Sequence, residues 1–158
     1  MKKIIILILI TAIAFSSCSF SSGEKIIGIL DDDNNISYTI PKGLEFKHDK
    51  TRIIIAESEE KINTIVYIID AVIKKLEDGD TYDKIYNEFI TDNKSIENIK
   101  KATNFLTFAD YIENSTKGIF IYIDPSFEYY LTATYYTEDI DFKFIEQFAR
   151  SIKIYKNK

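Results

Sequence analysis

The chain's one cysteine stands at residue 18, directly after an apolar run and two serines, and this placement limits what can hold the rest together. A single cysteine allows no intrachain disulfide, so any fold must rest on a packed core. The residues before it are not core material. Met1-Lys2-Lys3 carries positive charge, Ile4 to Phe15 is apolar apart from Thr11, and Ser16-Ser17 are small. Charge, apolar run and small residues in that order make a secretory signal peptide. The run is apolar on every side, whereas a surface helix carries one apolar stripe. It is also shorter than the roughly 20 residues a membrane-spanning helix needs. Two alternatives stay open: an uncleaved anchor, and an ordinary signal peptide with a cysteine beside its cut.

Phe15-Ser16-Ser17-Cys18 resembles the bacterial lipobox, in which an aliphatic residue and two small residues precede a cysteine that takes a diacylglyceryl group. Ser16, Ser17 and Cys18 match, and Phe15 stands where leucine is usual. The resemblance implies a bacterial lipoprotein with Cys18 as lipid attachment and mature N-terminus. Two or three acyl chains, palmitate among them, give firm anchoring where one chain is marginal. Ser19 to Glu24 then forms a polar Ser/Gly tether. Ser19 favours the outer membrane over the inner, and the leaflet stays open. The expected organisation is residues 1–17 as signal peptide, 18–24 as lipidated cysteine and tether, and 25–158 as one domain, a length that suits a single core.

Charge narrows the partners. The chain carries a formal net charge of −5, and removing Lys2 and Lys3 makes it more negative by two. An acidic body without a basic cluster argues against nucleic acid and against anionic surfaces.

Local pattern gives the elements. Lys25 to Leu30 is apolar, Asp31 to Asn35 reads as a loop, and Ile36 to Ile40 alternates like a half-buried strand. Pro41-Lys42-Gly43 punctuates the chain, Leu44 to Phe46 resumes extended structure, and His48-Asp49-Lys50 turns it. Arg52 to Glu57 is β-branched strand. Residues 59–77 carry two conflicting signals. Ile62, Ile65, Val66, Ile69, Ile73 and Leu76 fall at helical spacing with Ser58 as cap, yet Thr64 to Ile69 is strand material. The reading leans to a strand over Thr64–Ala71, hairpinned with Arg52–Glu57, and a helix from Val72. Asp80 or Thr81 caps the next helix, with Tyr82, Ile85, Tyr86, Phe89 and Ile90 as its stripe. Ser95 to Lys101 is a further helical turn or a charged lead-in to Asn104–Ile112. Asn114 to Gly118 is a turn, and Ile119–Ile123 and Glu128–Tyr136 form a hairpin across Asp124-Pro125-Ser126. Thr137-Glu138-Asp139 opens a last helix that buries Phe144, Ile145, Phe148, Ala149 and Ile152, followed by an edge strand through Tyr155. The predicted class is α+β, a mostly antiparallel sheet flanked by two or three helices.

That order resembles the PsbP-like α/β/α sandwich. Tyr38-Thr39-Ile40-Pro41-Lys42-Gly43-Leu44 is similar to its opening strand running into a Pro/Gly turn, and Phe144 to Lys153 to its closing helix ending in Ser151-Ile152-Lys153. Leu44 and Ile152 replace the family's usual aromatics. The resemblance implies an envelope protein that binds or assembles rather than catalyses, and fold analogy alone does not confer function.

Site chemistry is sparse. His48 is the sole histidine, with no second histidine or free cysteine to share zinc, and reads as a solvated loop residue. Asp31 to Asn35 resembles a calcium loop only in composition, because Ile36 and Lys42 stand where an EF-hand needs Gly and Glu. Neither a phosphate-cradling glycine motif nor a nucleophile motif is present. No cofactor and no metal are expected, and the chain is not expected to be an enzyme. Aromatics concentrate on the predicted hairpin, and Phe120, Tyr122, Tyr130 and Tyr136 make the candidate binding face for a protein or glycan, with core packing as the competing account. The readings are thus a binding or scaffolding lipoprotein, a periplasmic assembly factor for an envelope complex, and third an enzyme of unknown type.

Overall fold

Alternating and β-branched residues produce ten strands and three helices among the described residues of the computed structural model, which are 23–112, 114–126, 128–136 and 142–157. The signal-like segment, Cys18 and the predicted opening of the last helix lie outside them. The strands are β1 (Glu24–Ile29), β2 (Asn34–Ile40), β3 (Glu45–Asp49), β4 (Arg52–Ala56), β5 (Ile69–Lys75), β6 (Ile96–Lys101), β7 (Leu106–Tyr111), β8 (Asn114–Ile123), β9 (Tyr129–Tyr136) and β10 (Lys153–Lys156). The helices are α1 (Glu59–Asn63), α2 (Tyr82–Asp92) and α3 (Phe142–Ser151). All pairings are antiparallel, in a three-stranded sheet β1-β2-β10 and a seven-stranded sheet β3-β4-β5-β9-β8-β7-β6. The class is α+β with a mostly antiparallel sheet flanked by helices.

Strand alternation splits the large sheet into two faces. One face carries Ile53, Ile55, Ile69, Ala71, Ile73, Leu131, Ala133, Tyr135, Phe120, Tyr122, Leu106 and Phe108, all buried in one cluster. This closed face meets the small sheet through Ile26, Ile36, Tyr38 and Ile40, and meets α3 through Ile145, Phe148 and Ala149. Tyr38 meets Phe148 edge-on, with ring centroids 6.0 Å apart. Two glycines permit close approaches, one between the two sheets and one between neighbouring strands of the large sheet. A Cβ on Gly28 of β1 would strike the His48 ring, and one on Gly118 of β8 would strike the Tyr135 ring. The other face buries a smaller cluster, Ile119, Ile121, Ile123 and Ala109 against Ile85 and Phe89 of α2.

Several elements fall where the sequence placed them. Thr81 caps α2 by accepting from the Lys84 amide, and α3 buries Ile145, Phe148 and Ala149 of the expected stripe, with Ile152 buried just past its end. Others differ. Residues 59–77 hold no long helix and no strand from Thr64. Ser58 does cap a helix, but it ends at Asn63, Ile65 takes a left-handed conformation (φ 70°), and the strand is Ile69–Lys75. β4 and β5 pair as foreseen, because burying Ile69, Ala71 and Ile73 beside β4 and β9 outweighs the helical spacing. Ser95–Lys101 is neither helical turn nor mere lead-in, but yields the edge strand β6, bulged between Glu97 and Lys100. Asn114–Gly118 is not a turn. These residues open β8, with a register shift opposite Asp110 and Tyr111. His48 and Asp49 belong to β3, leaving Lys50 (φ 48°) to take the turn.

Candidate functional site

On the second face of the large sheet, α2 covers β8 and β7 and leaves β4, β5 and β9 open. The register lays out that open half. Across β4, β5, β9 and β8, one row reads Ile54, Asp70, Thr134, Ile119 and the next reads Arg52, Val72, Thr132, Ile121. Lys74, Tyr130 and Ile123 continue the pattern on β5, β9 and β8. Arg52, Asp70, Thr132 and Thr134 thus sit with Ile54 and Val72 on the open half, and Ile119 and Ile121 carry the rows under α2.

A shallow cavity of about 360 Å³ sits on these rows, lined by Arg52, Tyr67, Asp70, Val72, Thr132 and Thr134 among others. Arg52 Nε donates to Asp70 Oδ1 at 2.8 Å and Nη2 to Oδ2 at 2.6 Å. The carboxylate holds the Arg52 pKa above its ordinary value, first through that hydrogen bond and then through charge. The pair therefore keeps a planar fork fixed at the edge of the cavity. Tyr67 closes one end, its ring 6.1 Å from Tyr136 at 66°. The strained turn at Ile65 precedes Tyr67 by two residues. A β-branched side chain at positive φ is costly, and such strain gathers where a neighbour must be aimed.

Val72 also lines a second, larger cleft of about 600 Å³ that runs between β5, the β1–β2 turn and the start of α2. Its rim is charged and mostly paired. Lys75 bonds Asp31 at 2.7 Å and Lys84 bonds Asp80 at 2.6 Å. Lys75, then Asn34, hold the Asp31 carboxyl down at about 2. Lys84 lowers Asp80, and Asp80 raises Lys84 in return. Lys74 Nζ stands 5.7 Å from the Tyr130 ring centroid. In the acidic turn the Asp31 oxygens accept from the Asn34 side chain, the Asp33 amide and Lys75. Among the described residues no three His, Cys, Asp or Glu side chains group to hold a metal.

The four aromatics predicted to share a binding face are split. Phe120 and Tyr122 are buried in the closed face, 0% and 3% exposed, opposite Ala133 and Leu131, and cannot meet a partner. Tyr130 and Tyr136 lie half-buried on the open side, beside the cavities. Alternation assigns residues to faces but does not say which face is covered. His48 is likewise no solvated loop residue. Its ring packs 5.6 Å from Tyr38, Nδ1 is buried without a partner, and Nε2 lies 2.6 Å from the Lys50 carbonyl. Arg52, Asp70, Thr132 and Thr134 were missed, because they converge only once β4, β5 and β9 are in register.

Comparison with family models, with curated proteins and with solved structures finds no match.

Proposed function

We propose that the chain is an exported lipoprotein, attached through Cys18, whose α+β domain binds a polar partner through the open half of the large sheet. One observation carries the binding reading: a sheet face left uncovered by α2, with a fixed Arg52–Asp70 fork, two threonine hydroxyls and the Tyr67, Tyr130 and Tyr136 rings around it. The guanidinium N–H groups that Asp70 does not take, with hydroxyls and phenols, suit a hydroxyl-rich glycan or an extended peptide, where orientation comes from hydrogen bonds and area from aromatic bodies. The anchor reading is supported by Lys2-Lys3, the apolar run and Ser16-Ser17-Cys18. Among the described residues no helix is long and apolar enough to cross a membrane.

A second reading, an assembly factor on the periplasmic side, is favoured by how the two segments that carry the PsbP-like resemblance meet. The Thr39 amide donates to Ser151 Oγ at 2.9 Å, and β10 pairs with β2.

Protease shaving of intact cells, with an immunoblot for the domain, separates the two. Digestion supports a surface-facing binding protein. Protection that is lost on outer-membrane permeabilisation supports the assembly role. Cys18→Ala should release the protein from the membrane fraction, and a variant that stays bound with its signal uncleaved sinks the anchor reading. Sedimentation with purified envelope polysaccharide tests the face itself. Thr132→Arg, which fills the cavity, should abolish co-sedimentation, and unchanged binding would place the ligand elsewhere.

A further inference from the structure

The outer side of the small sheet exposes three large apolar or aromatic side chains among polar ones. Along β1, Ile26 is buried, whereas Ile27 and Ile29 point away from the core and are 64% and 65% exposed. Register extends this side across the sheet. Ile29 stands beside Asn35, which stands beside Tyr155, and Ile27 stands beside Ser37, which is itself buried and stands beside Lys153. Tyr155 is 41% exposed, and Lys25 and Lys153 are exposed at the near end. None of the outward positions of the three strands carries a carboxylate, on a chain whose net charge is −5. The acidic turn Asp31–Asp33 comes after Ile29, at the far end of the hairpin, with Asp31 tied to Lys75.

We propose that this side of the small sheet rests on the surface of the membrane that holds the lipid anchor, with Ile27, Ile29 and Tyr155 in the interface and Lys25 and Lys153 against anionic headgroups. The proposal builds on the anchor reading. Five peptide units separate Cys18 from Gly23, the first described residue, so whatever their conformation they reach at most ~18 Å. An acyl chain on Cys18 therefore keeps Gly23, the residue before β1, within that distance of the bilayer, and β1 is itself an edge of the small sheet. Isoleucines with a tyrosine are an interfacial set, and lysines stretch their stems along apolar surface while their charge meets phosphate. The sign of the whole chain conceals this, because Glu24, the one acidic residue in the three strands, shares the register set of Ile26 and the others lie outside these strands. The small sheet covers the closed face of the large sheet, so a membrane beneath it would leave the open face of the large sheet turned outward.

The test uses the full lipidated chain in vesicles of phosphatidylethanolamine and phosphatidylglycerol carrying a brominated lipid. With the Cys18 sulfur acylated, Ile27→Cys, Tyr155→Cys and, on the opposite side, Thr134→Cys each give one site for an environment-sensitive dye. Dyes at 27 and 155 should shift to the blue and be quenched by the bromolipid, and the dye at 134 should not. Lys25→Glu with Lys153→Glu, which leaves the core untouched, should weaken quenching at 155 on these vesicles but not on phosphatidylcholine. A lipidated, vesicle-bound chain whose dyes at 27 and 155 are quenched no more than the one at 134 overturns the orientation and leaves the anchor standing. A mature N-terminus without lipid mass, on a chain that does not float with vesicles, overturns both. Self-quenching at 27 that grows with protein concentration, without bromolipid quenching, overturns it in favour of a second copy on this face.

Discussion

The closed and open faces of the seven-stranded sheet are built from the same strands and use similar residues to opposite ends. On the closed face, Tyr135, Tyr122 and Phe120 pack into a core with Tyr38, Tyr129 and Phe148, and the Tyr129 hydroxyl donates to the Ile152 carbonyl at 2.9 Å. On the open face, Tyr67, Tyr130 and Tyr136 are half-buried, with Lys74 and Lys117 over the latter two rings. An aromatic residue on this sheet therefore signals nothing by itself. What covers its side decides whether it stabilises the fold or remains free to meet a partner.

The sharpest way to break the comparison is to truncate one residue on each side. Phe120→Ala should cost about 3–5 kcal/mol in urea unfolding, as full burial of an aromatic demands. Thr132→Ala should stay within about 0.5 kcal/mol. Equal losses would mean the open face is covered after all. Alkali should expose the closed face next. Burial pushes the Tyr135 phenol up to about 12 and raises Tyr38, Tyr122 and Tyr129 as well. In the unfolded chain these groups lose their protons near 10. The unfolded state then binds fewer protons, so stability should fall as pH rises from 10 toward 12. A pH series of urea midpoints checks this, and Tyr135→Phe should make the decline shallower. Gly118→Ala forces a methyl against the buried Tyr135 ring and should cost about 1–3 kcal/mol by the same assay. Thr81→Ala removes the cap of the one helix over the second face and should cost about 1 kcal/mol, with faster amide exchange in α2. Smallest of all, Ile65→Asn should gain about 1 kcal/mol, because the exposed Ile65 is strained rather than packed. If that variant also co-sediments less with envelope polysaccharide, the strain serves to aim Tyr67.

These contrasts show what the sequence carried. α3 was legible because its apolar residues follow one period without a competing signal, and β2 because alternation and Pro41 bound it. β5 was not, since Ile62 to Leu76 satisfies helical spacing while its β-branched content favours a strand, and only pairing with β4 and β9 decides. β6 was hidden for the opposite reason. Its residues from Glu97 onward are exposed, so no alternation marks it. Gly118 looked like turn punctuation, but it makes room for Tyr135 across the strand pair. At the site, Tyr130 and Tyr136 were visible as aromatics, whereas the Arg52–Asp70 fork depends on two strands 18 residues apart coming together.

The partnership of β2 with β10 also sets the order in which the chain can finish folding. Thr39 and Ser151 bond across 112 residues, so a strand made early waits for a helix end and a strand made last. Contacts so distant in sequence form slowly and close late. A ribosome still short of Ile154 holds a chain whose first hairpin has one side unpaired, so the small sheet closes only after α3 and β10 have emerged.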